Sequence, residues 1–118
     1  MGELEAAVMN LLWEHGDWQT PGDVHGRLEP THPLAYTTVM TILVRLWRKG
    51  RLERYKTGRA YSYRPTLTRD EDAARRMGEV LGSLGDHAGA LNRFVETLDA
   101  GDRAQLRRLL TSARKRSR

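Results

Sequence analysis

The spacing of apolar positions predicts two short helices within the first 30 residues. Apolar residues recur at helical spacing within residues 4–12, and Gly16 follows them as a natural stop. The next segment opens with Thr20, a favourable N-cap, and Pro21, which suits the first helical position. This second helix is expected to end before Pro30, where a loop begins.

A third helix is predicted from about Ala35 to Lys49, and its two faces differ in chemistry. The face expected to point into a core carries Ala35, Tyr36, Val39, Ile42, Leu43 and Leu46. The opposite face carries Thr37, Thr41, Val44 and Arg48, and it is flanked by Thr38, Met40 and Arg45. Threonine can meet a phosphate or a thymine methyl group, and arginine can bind guanine or a phosphate. This face is therefore suited to lying against DNA.

After Gly50 the period changes from that of a helix to that of strands. The segments "RLERYK" and "AYSYRP" alternate and are joined by "TGR", which is typical of a β-hairpin with Gly58 at positive φ. Leu52 and the tyrosines that face inward are expected to pack on the helices. Exposure is expected for Arg54, Lys56, Arg59 and Arg64. Three helices and a basic hairpin predict a winged helix-turn-helix, in which the third helix enters the major groove and the hairpin touches the flanking backbone.

The second half of the chain predicts three further amphipathic helices. Thr68 and Asp102 are candidate N-caps, and Asp70, Glu71 and Asp72 are interpreted as first-turn charges. The apolar positions predicted to form a dimer interface are Met77, Leu81, Leu91, Phe94, Val95, Leu98, Leu106, Leu109 and Leu110. A small winged-helix domain offers limited surface for three apolar stripes. Pairing with a second copy is therefore favoured over folding back onto the same domain.

These elements predict a mainly α fold with a small β-hairpin wing. The expected division is a winged helix-turn-helix DNA-binding domain at residues 1–66, a helical dimerisation domain at 67–113 and a basic, disordered tail at 114–118.

The charge is unevenly distributed along the chain, and this points to a polyanionic partner. The net charge is +5 overall, but it is +7 within residues 35–65, against −5 in residues 1–34 and −3 in residues 66–105. A basic block between acidic ones indicates a face that meets nucleic acid, although a merely solvated basic surface is also consistent with it.

Several classes of function are disfavoured by what the sequence lacks. The chain has no cysteine, which excludes disulfides and thiolate metal sites, and its four histidines have no zinc-binding spacing. No catalytic signature such as G-x-S-x-G or a P-loop occurs. We therefore expect no enzyme activity, no metal and no cofactor. No apolar run approaches a membrane span and no secretion signal is evident, so a cytoplasmic location is expected.

Three stretches, "LEAAVMNLLWEHGDWQTPGDVHGRL", "AYTTVMTILVRLWRKGRLER" and "GRAYSYRP", resemble the penicillinase repressor family of the BlaI/MecI/CopY type. The resemblance runs from about Glu3 to Leu110. It implies a homodimeric transcriptional repressor on a palindromic operator of double-stranded DNA, in one branch controlling β-lactam resistance. A β-lactam or another envelope stress is then a candidate signal. It also implies DNA reading by Thr37, Thr38, Met40, Thr41 and Arg45, with Arg59 on the wing.

The sequence departs from this family at two points. Antibiotic-responsive members are inactivated by a regulatory protease that cuts between Asn and Phe, whereas here Arg93 separates Asn92 from Phe94, so the same cut is not predicted. Copper-responsive members carry Cys-x-Cys motifs, which this chain lacks.

The main alternative is a winged helix that binds protein or RNA, because fold alone does not settle function. A protein-binding face should present large apolar groups. The outer face of residues 37–48 offers Val44 as its only sizeable apolar residue, which favours DNA.

Overall fold

Three helices, a β-hairpin and three more helices follow one another along the chain, much as the apolar spacing predicts. A computed structural model describes residues 2–116, with the side chains of residues 2–113. Its elements are α1 (Gly2–His15), α2 (Pro21–Leu28), α3 (Tyr36–Arg48), β1 (Leu52–Thr57), β2 (Ala60–Pro65), α4 (Arg69–Gly82), α5 (Ala88–Thr97) and α6 (Ala100–Arg116). The prediction of a mainly α fold with one antiparallel hairpin is confirmed. The chain forms two compact units, Met1–Arg75 and Arg76–Arg118, and the division falls within α4.

The core of the first unit lies between α1, α2, α3 and the base of the hairpin. Its buried side chains are Val8, Met9, Leu12, Val24, Leu28, Val39, Ile42, Leu43, Leu46, Leu52 and Tyr63. Four of them come from α3, at the helical spacing that the sequence shows. Because these four side chains are packed in the core, the opposite side of α3 faces away from the core.

The start of α2 is fixed by a reciprocal pair of hydrogen bonds. The Asp23 amide donates to the Thr20 hydroxyl oxygen at 3.1 Å, and the Thr20 amide donates to an Asp23 carboxylate oxygen at 3.0 Å. The hydrogen bond from the Thr20 amide to the carboxylate, and after it the Thr20 hydroxyl, lower the pKa of Asp23 below its ordinary value of 3.8. The predicted cap is confirmed, with Pro21 in the first helical position.

The hairpin is closed by a two-residue turn and tied at its base to the loop before α2. Thr57 pairs with Ala60, so Gly58 and Arg59 form the turn, and Gly58 has a φ of 64° as predicted. The Gln19 amide donates to the Tyr63 carbonyl at 2.9 Å, and the Tyr63 amide donates back to the Gln19 carbonyl at 2.8 Å. Leu52 and Tyr63 are buried as expected, and Tyr61 is half-buried.

The first turns of α4 belong to the first unit, which is the winged-helix unit, and several hydrogen bonds fasten them to it. Thr68 caps α4 as predicted, through a reciprocal pair of bonds with Glu71 that lowers the Glu71 pKa. Asp70, Glu71 and Asp72 lie in the first turn of α4 as predicted, but Asp72 also makes a contact that the sequence did not reveal. Its carboxylate is buried and accepts two hydrogen bonds from the Arg51 guanidinium, at 3.0 and 2.7 Å. The contact joins residues 21 positions apart, which helical spacing does not reveal.

The second unit contains the rest of α4 together with α5 and α6, and its apolar side chains are largely exposed. No residue of α5 is buried. Of the predicted dimerisation residues, Leu81, Leu98 and Leu106 are half-buried, and Met77, Leu91, Phe94, Val95, Leu109 and Leu110 are exposed.

The start of α6 differs from the sequence prediction. Asp99, rather than Asp102, provides the cap, since its carboxylate accepts from the Asp102 amide at 2.8 Å. At the other end, α6 extends to Arg116, within the segment for which disorder was predicted. Residues 117 and 118 of that segment lie outside the described residues. Within residues 2–116, no helix has both the length and the apolar character needed to cross a membrane.

Candidate nucleic-acid interface

The outward side of α3 carries the threonines and arginines that the sequence assigned to DNA reading. Thr37, Thr38, Met40, Thr41 and Arg48 are exposed, and Arg45 is half-buried. Met40, Thr41, Arg45 and Arg48 lie together along one open groove, which Val44 and Lys49 also line. The Thr41 hydroxyl donates to the Thr37 carbonyl at 3.0 Å, so towards a ligand it offers an acceptor oxygen and a methyl group.

The first residue of α3 faces solvent, contrary to the sequence prediction. Tyr36 and the preceding Ala35 were expected to be inward, but both are exposed, Tyr36 by 46%. The buried residues of α3 centre about 70° away from Tyr36 on the helical wheel, which leaves it at the edge of the core face. Its ring lies edge-on to the His25 ring at 5.9 Å between centroids. Since the N-terminal residues of recognition helices contact base edges, Tyr36 joins the candidate interface.

The basic residues of the 35–65 block divide into two groups. Four are engaged by the protein itself. Lys49 pairs with Glu5 at 2.8 Å, Arg51 with Asp72 at 2.7 Å and Arg64 with Glu53 at 2.7 Å, while Arg54 is stacked between aromatic rings.

The other four are Arg45, Arg48, Lys56 and Arg59. Among the described side chains, no carboxylate lies within ion-pair distance of them, and Arg59 lies in the exposed turn of the hairpin. The charge presented to a ligand is therefore smaller than the sequence count suggests, and it is concentrated on α3 and the hairpin tip.

Arg54 also differs from the sequence prediction. It was expected to be exposed, but it is half-buried, with its guanidinium carbon 3.5 Å from the Trp47 ring centroid and 4.0 Å from that of Tyr61. It also donates to the Tyr63 hydroxyl at 3.3 Å. Lys56, Arg59 and Arg64 are exposed as expected.

The second unit contains an apolar groove that could receive another helix. Its lining is Met77, Gly78, Val80, Leu81, Leu84, Ala90, Leu91 and Phe94. These residues come from α4, α5 and the segment between them, and five of the large apolar ones are exposed. Four of the predicted dimerisation residues, Met77, Leu81, Leu91 and Phe94, are thus brought together on one surface. No group of three or more potential metal ligands occurs among the described residues.

Comparison with known proteins adds four findings. The family described as Penicillinase repressor matches residues 1–112. The transcriptional regulator BlaI of Mycobacterium tuberculosis is 41% identical over 113 residues, which cover 93% of this chain and 82% of that protein. The penicillinase repressor of Bacillus licheniformis is 31% identical over 95 residues, covering 80% and 72%. The solution structure of the DNA-binding domain of the repressor BlaI is similar with a TM-score of 0.54 and 30% identity, covering 60% of this chain and 85% of that one.

Proposed function

We propose a mode of action from the premise that this chain belongs to the penicillinase repressor family and is a DNA-binding transcriptional repressor. In this proposal it acts as a homodimer on a palindromic operator, with one α3 in each of two successive major grooves. The half-sites then lie about ten base pairs apart, one turn of the double helix. Bound there, the dimer blocks access of the polymerase to a promoter. The DNA that it binds would place it in the cytoplasm.

The observation that carries the proposal is the outer face of α3. This face is backed by Val39, Ile42, Leu43 and Leu46, and it presents Thr37, Thr41, Arg45 and Arg48 on the side away from the core. The two arginines have no carboxylate partner among the described side chains, so binding DNA breaks no ion pair of the protein. Met40 and Tyr36 are also exposed on this helix, but they are outnumbered by the hydroxyl and guanidinium groups, which favours DNA over the protein-binding alternative.

The hairpin adds a second contact in this proposal. Arg59 lies in the turn and Lys56 is close to it, so both can reach the phosphates that flank the groove occupied by α3. Contacts of this kind strengthen binding to all sequences and increase its dependence on salt.

The second copy is proposed to cover the apolar surface of the second unit. Leu91, Phe94 and Met77 are exposed there on one groove, and a contiguous apolar surface of this kind is typical of a protein interface. Leu81, Val95, Leu98, Leu106, Leu109 and Leu110 complete the proposed dimerisation set.

A β-lactam or another envelope stress is the proposed signal, as in the family's antibiotic-responsive branch. Proteolytic relief between Asn and Phe is not included, because Arg93 separates Asn92 from Phe94 within α5. A different means of release from the operator is therefore expected.

The experiment that tests the proposal is a comparison of Arg45→Ala with the unaltered chain on two duplexes. One duplex is an operator selected from random sequence, and the other is an unrelated duplex of equal length. If Arg45 reads a base, the variant loses about 1–3 kcal/mol of discrimination between the duplexes. Arg64→Ala is the matched control, since Arg64 is exposed but paired with Glu53. Equal losses on both duplexes would reduce Arg45 to a phosphate contact, and failure to select any duplex would refute operator binding.

A further inference from the structure

We propose that Arg54 is a positioning residue for DNA binding. It fastens the hairpin to the end of α3, so that Arg59 meets the phosphates at a fixed distance from the groups that read the bases. The inference rests on the proposed contacts of α3 and the hairpin with DNA. It assigns to Arg54 a role that its charge and its place in the basic block do not suggest.

The guanidinium of Arg54, a residue of β1, contacts side chains of both α3 and β2. Trp47 lies in the last turn of α3, and Tyr61 lies on β2. The Arg54 guanidinium carbon lies 3.5 Å from the first ring centroid and 4.0 Å from the second, and one of its nitrogens donates to the Tyr63 hydroxyl at 3.3 Å. A planar cation between two aromatic rings is attracted to both faces, and its hydrogen bond fixes its rotation.

The position of Arg54 along the hairpin explains why its contact with Trp47 fixes the position of the hairpin tip relative to α3. At the base, Leu52 and Tyr63 are buried in the core, so that end is fixed by packing. From Thr57 to Ala60 every residue is exposed. Thr57 lies three residues beyond Arg54, which is about 10 Å of strand. A small rotation of the hairpin about its base is therefore amplified at Arg59, and Arg54 is placed to prevent it on the side that faces α3.

The other face of the hairpin has its own aromatic contact, which supplies a matched control. Trp18 lies edge-on to Tyr55 at 4.6 Å between ring centroids, and the Arg64 guanidinium lies 4.3 Å from the Trp18 ring centroid. Trp18 precedes α2 and is not part of α3. Arg64→Lys therefore makes the same chemical change in the same hairpin without touching the contact between the hairpin and α3.

The variant Arg54→Lys distinguishes a positioning role of Arg54 from direct binding of a phosphate by Arg54. It keeps the positive charge but cannot stack as a plane between two rings or keep the fixed fork of donors. If Arg54 bound a phosphate, Arg54→Lys would keep the salt dependence of DNA binding. If Arg54 positions the hairpin, the same variant loses the Arg59 contact, and the slope of log K against log[salt] falls by about one.

The test is a double-mutant cycle of Arg54→Lys and Arg59→Ala in the full chain, measured on one duplex at several salt concentrations. Arg54→Lys is expected to weaken binding by no more than Arg59→Ala does in the unaltered chain, because both changes remove the same phosphate contact. Arg59→Ala should cost much less in the Arg54→Lys background than in the unaltered chain, because the tip has already left the phosphates. Arg64→Lys should change affinity less than about twofold.

A second variant guards against a general loss of folding. Trp47→Leu breaks the same stack from the helix side and leaves Arg54 in place, and it should show the same loss of sensitivity to Arg59→Ala. Additive effects of Arg54→Lys and Arg59→Ala, or unchanged binding by Arg54→Lys, would overturn the positioning role alone. If Arg59→Ala changes neither affinity nor salt slope in the unaltered chain, the proposed hairpin contact fails, and the positioning role fails with it.

Discussion

Replacing Asp72 with alanine should destabilise the winged-helix unit far more than breaking a surface ion pair of equal length. The Asp72 side chain is only 3% exposed, and its Arg51 partner is 13% exposed. Two hydrogen bonds from the guanidinium, at 3.0 and 2.7 Å, are lost in Asp72→Ala, which leaves a positive charge in a poorly solvated site. Breaking a buried pair in this way costs about 3–5 kcal/mol.

Glu53→Ala is the matched comparison. It breaks the bond from Arg64, which is also 2.7 Å long, but those two side chains are 47% and 42% exposed. An exposed pair of this kind contributes about 0–1 kcal/mol, because water solvates both charges when they separate. Both pairs join an arginine to a carboxylate, so the two variants differ in the burial of the pair and in losing two hydrogen bonds rather than one.

Urea unfolding of both variants at one fixed protein concentration measures the difference. With a slope of about 1–3 kcal/mol per molar urea, the midpoint of Asp72→Ala should fall by at least about 0.7 M more than that of Glu53→Ala. The concentration is held fixed because dimer dissociation would contribute to the midpoint. Arg51→Met combined with Asp72→Leu should recover most of the loss, since no charge is then buried. Equal losses in Asp72→Ala and Glu53→Ala would refute the reasoning from burial.

Three further changes test other parts of the fold. Thr20→Ala should cost about 1 kcal/mol at neutral pH. The pKa of Asp23 is lowered below 3.8 first by the Thr20 amide, which the variant keeps, and then by the Thr20 hydroxyl, which the variant removes. The contribution of the hydroxyl is present above pH 3.8 and is lost as pH falls through the folded pKa of Asp23, so the cost should shrink below about pH 4. An equal cost in urea unfolding at pH 7 and pH ~2.5 would contradict this. Gly58→Ala should lower the melting temperature, because alanine is strained at a φ of 64°, whereas Gly26→Ala in α2 has open space and should raise it. Phe94→Asp places a charge on a side chain that is 51% exposed in the apolar groove, and should give monomers in sedimentation velocity, whereas Arg93→Ala should remain dimeric. A Phe94→Asp dimer would refute that placement of the interface.

The parts of the fold that the sequence predicted well depend on short stretches of chain. The Thr20 cap needs only the next three residues, and the hairpin needs only Gly58 between two alternating segments. The four buried positions of α3 follow from its helical period. In each case the determining contacts lie within a few residues of one another, so a pattern in the sequence is enough.

The features that the sequence did not reveal depend on contacts between distant parts of the chain or on the rotation of a helix about its axis. Asp72 meets Arg51 across 21 positions, and Arg54 meets Trp47 only because the hairpin folds back on α3. Tyr36 lies at the edge of the core face, where a small rotation decides between burial and exposure. The DNA contacts of Thr37, Thr38, Met40, Thr41, Arg45, Arg48 and Arg59 stay predictions, because a protein surface alone does not show which group meets a base.

The attachment of the first turns of α4 determines where the chain can be cut to obtain a DNA-binding fragment. A fragment ending at residue 66 would lack the carbonyl of Leu67, which accepts from the Trp13 indole at 3.0 Å, as well as the carboxylate that neutralises Arg51. Such a fragment would expose the end of α1 and leave one charge without its counterion. A fragment that continues past Arg75 retains both contacts and contains the whole first unit. We therefore expect this fragment to fold on its own.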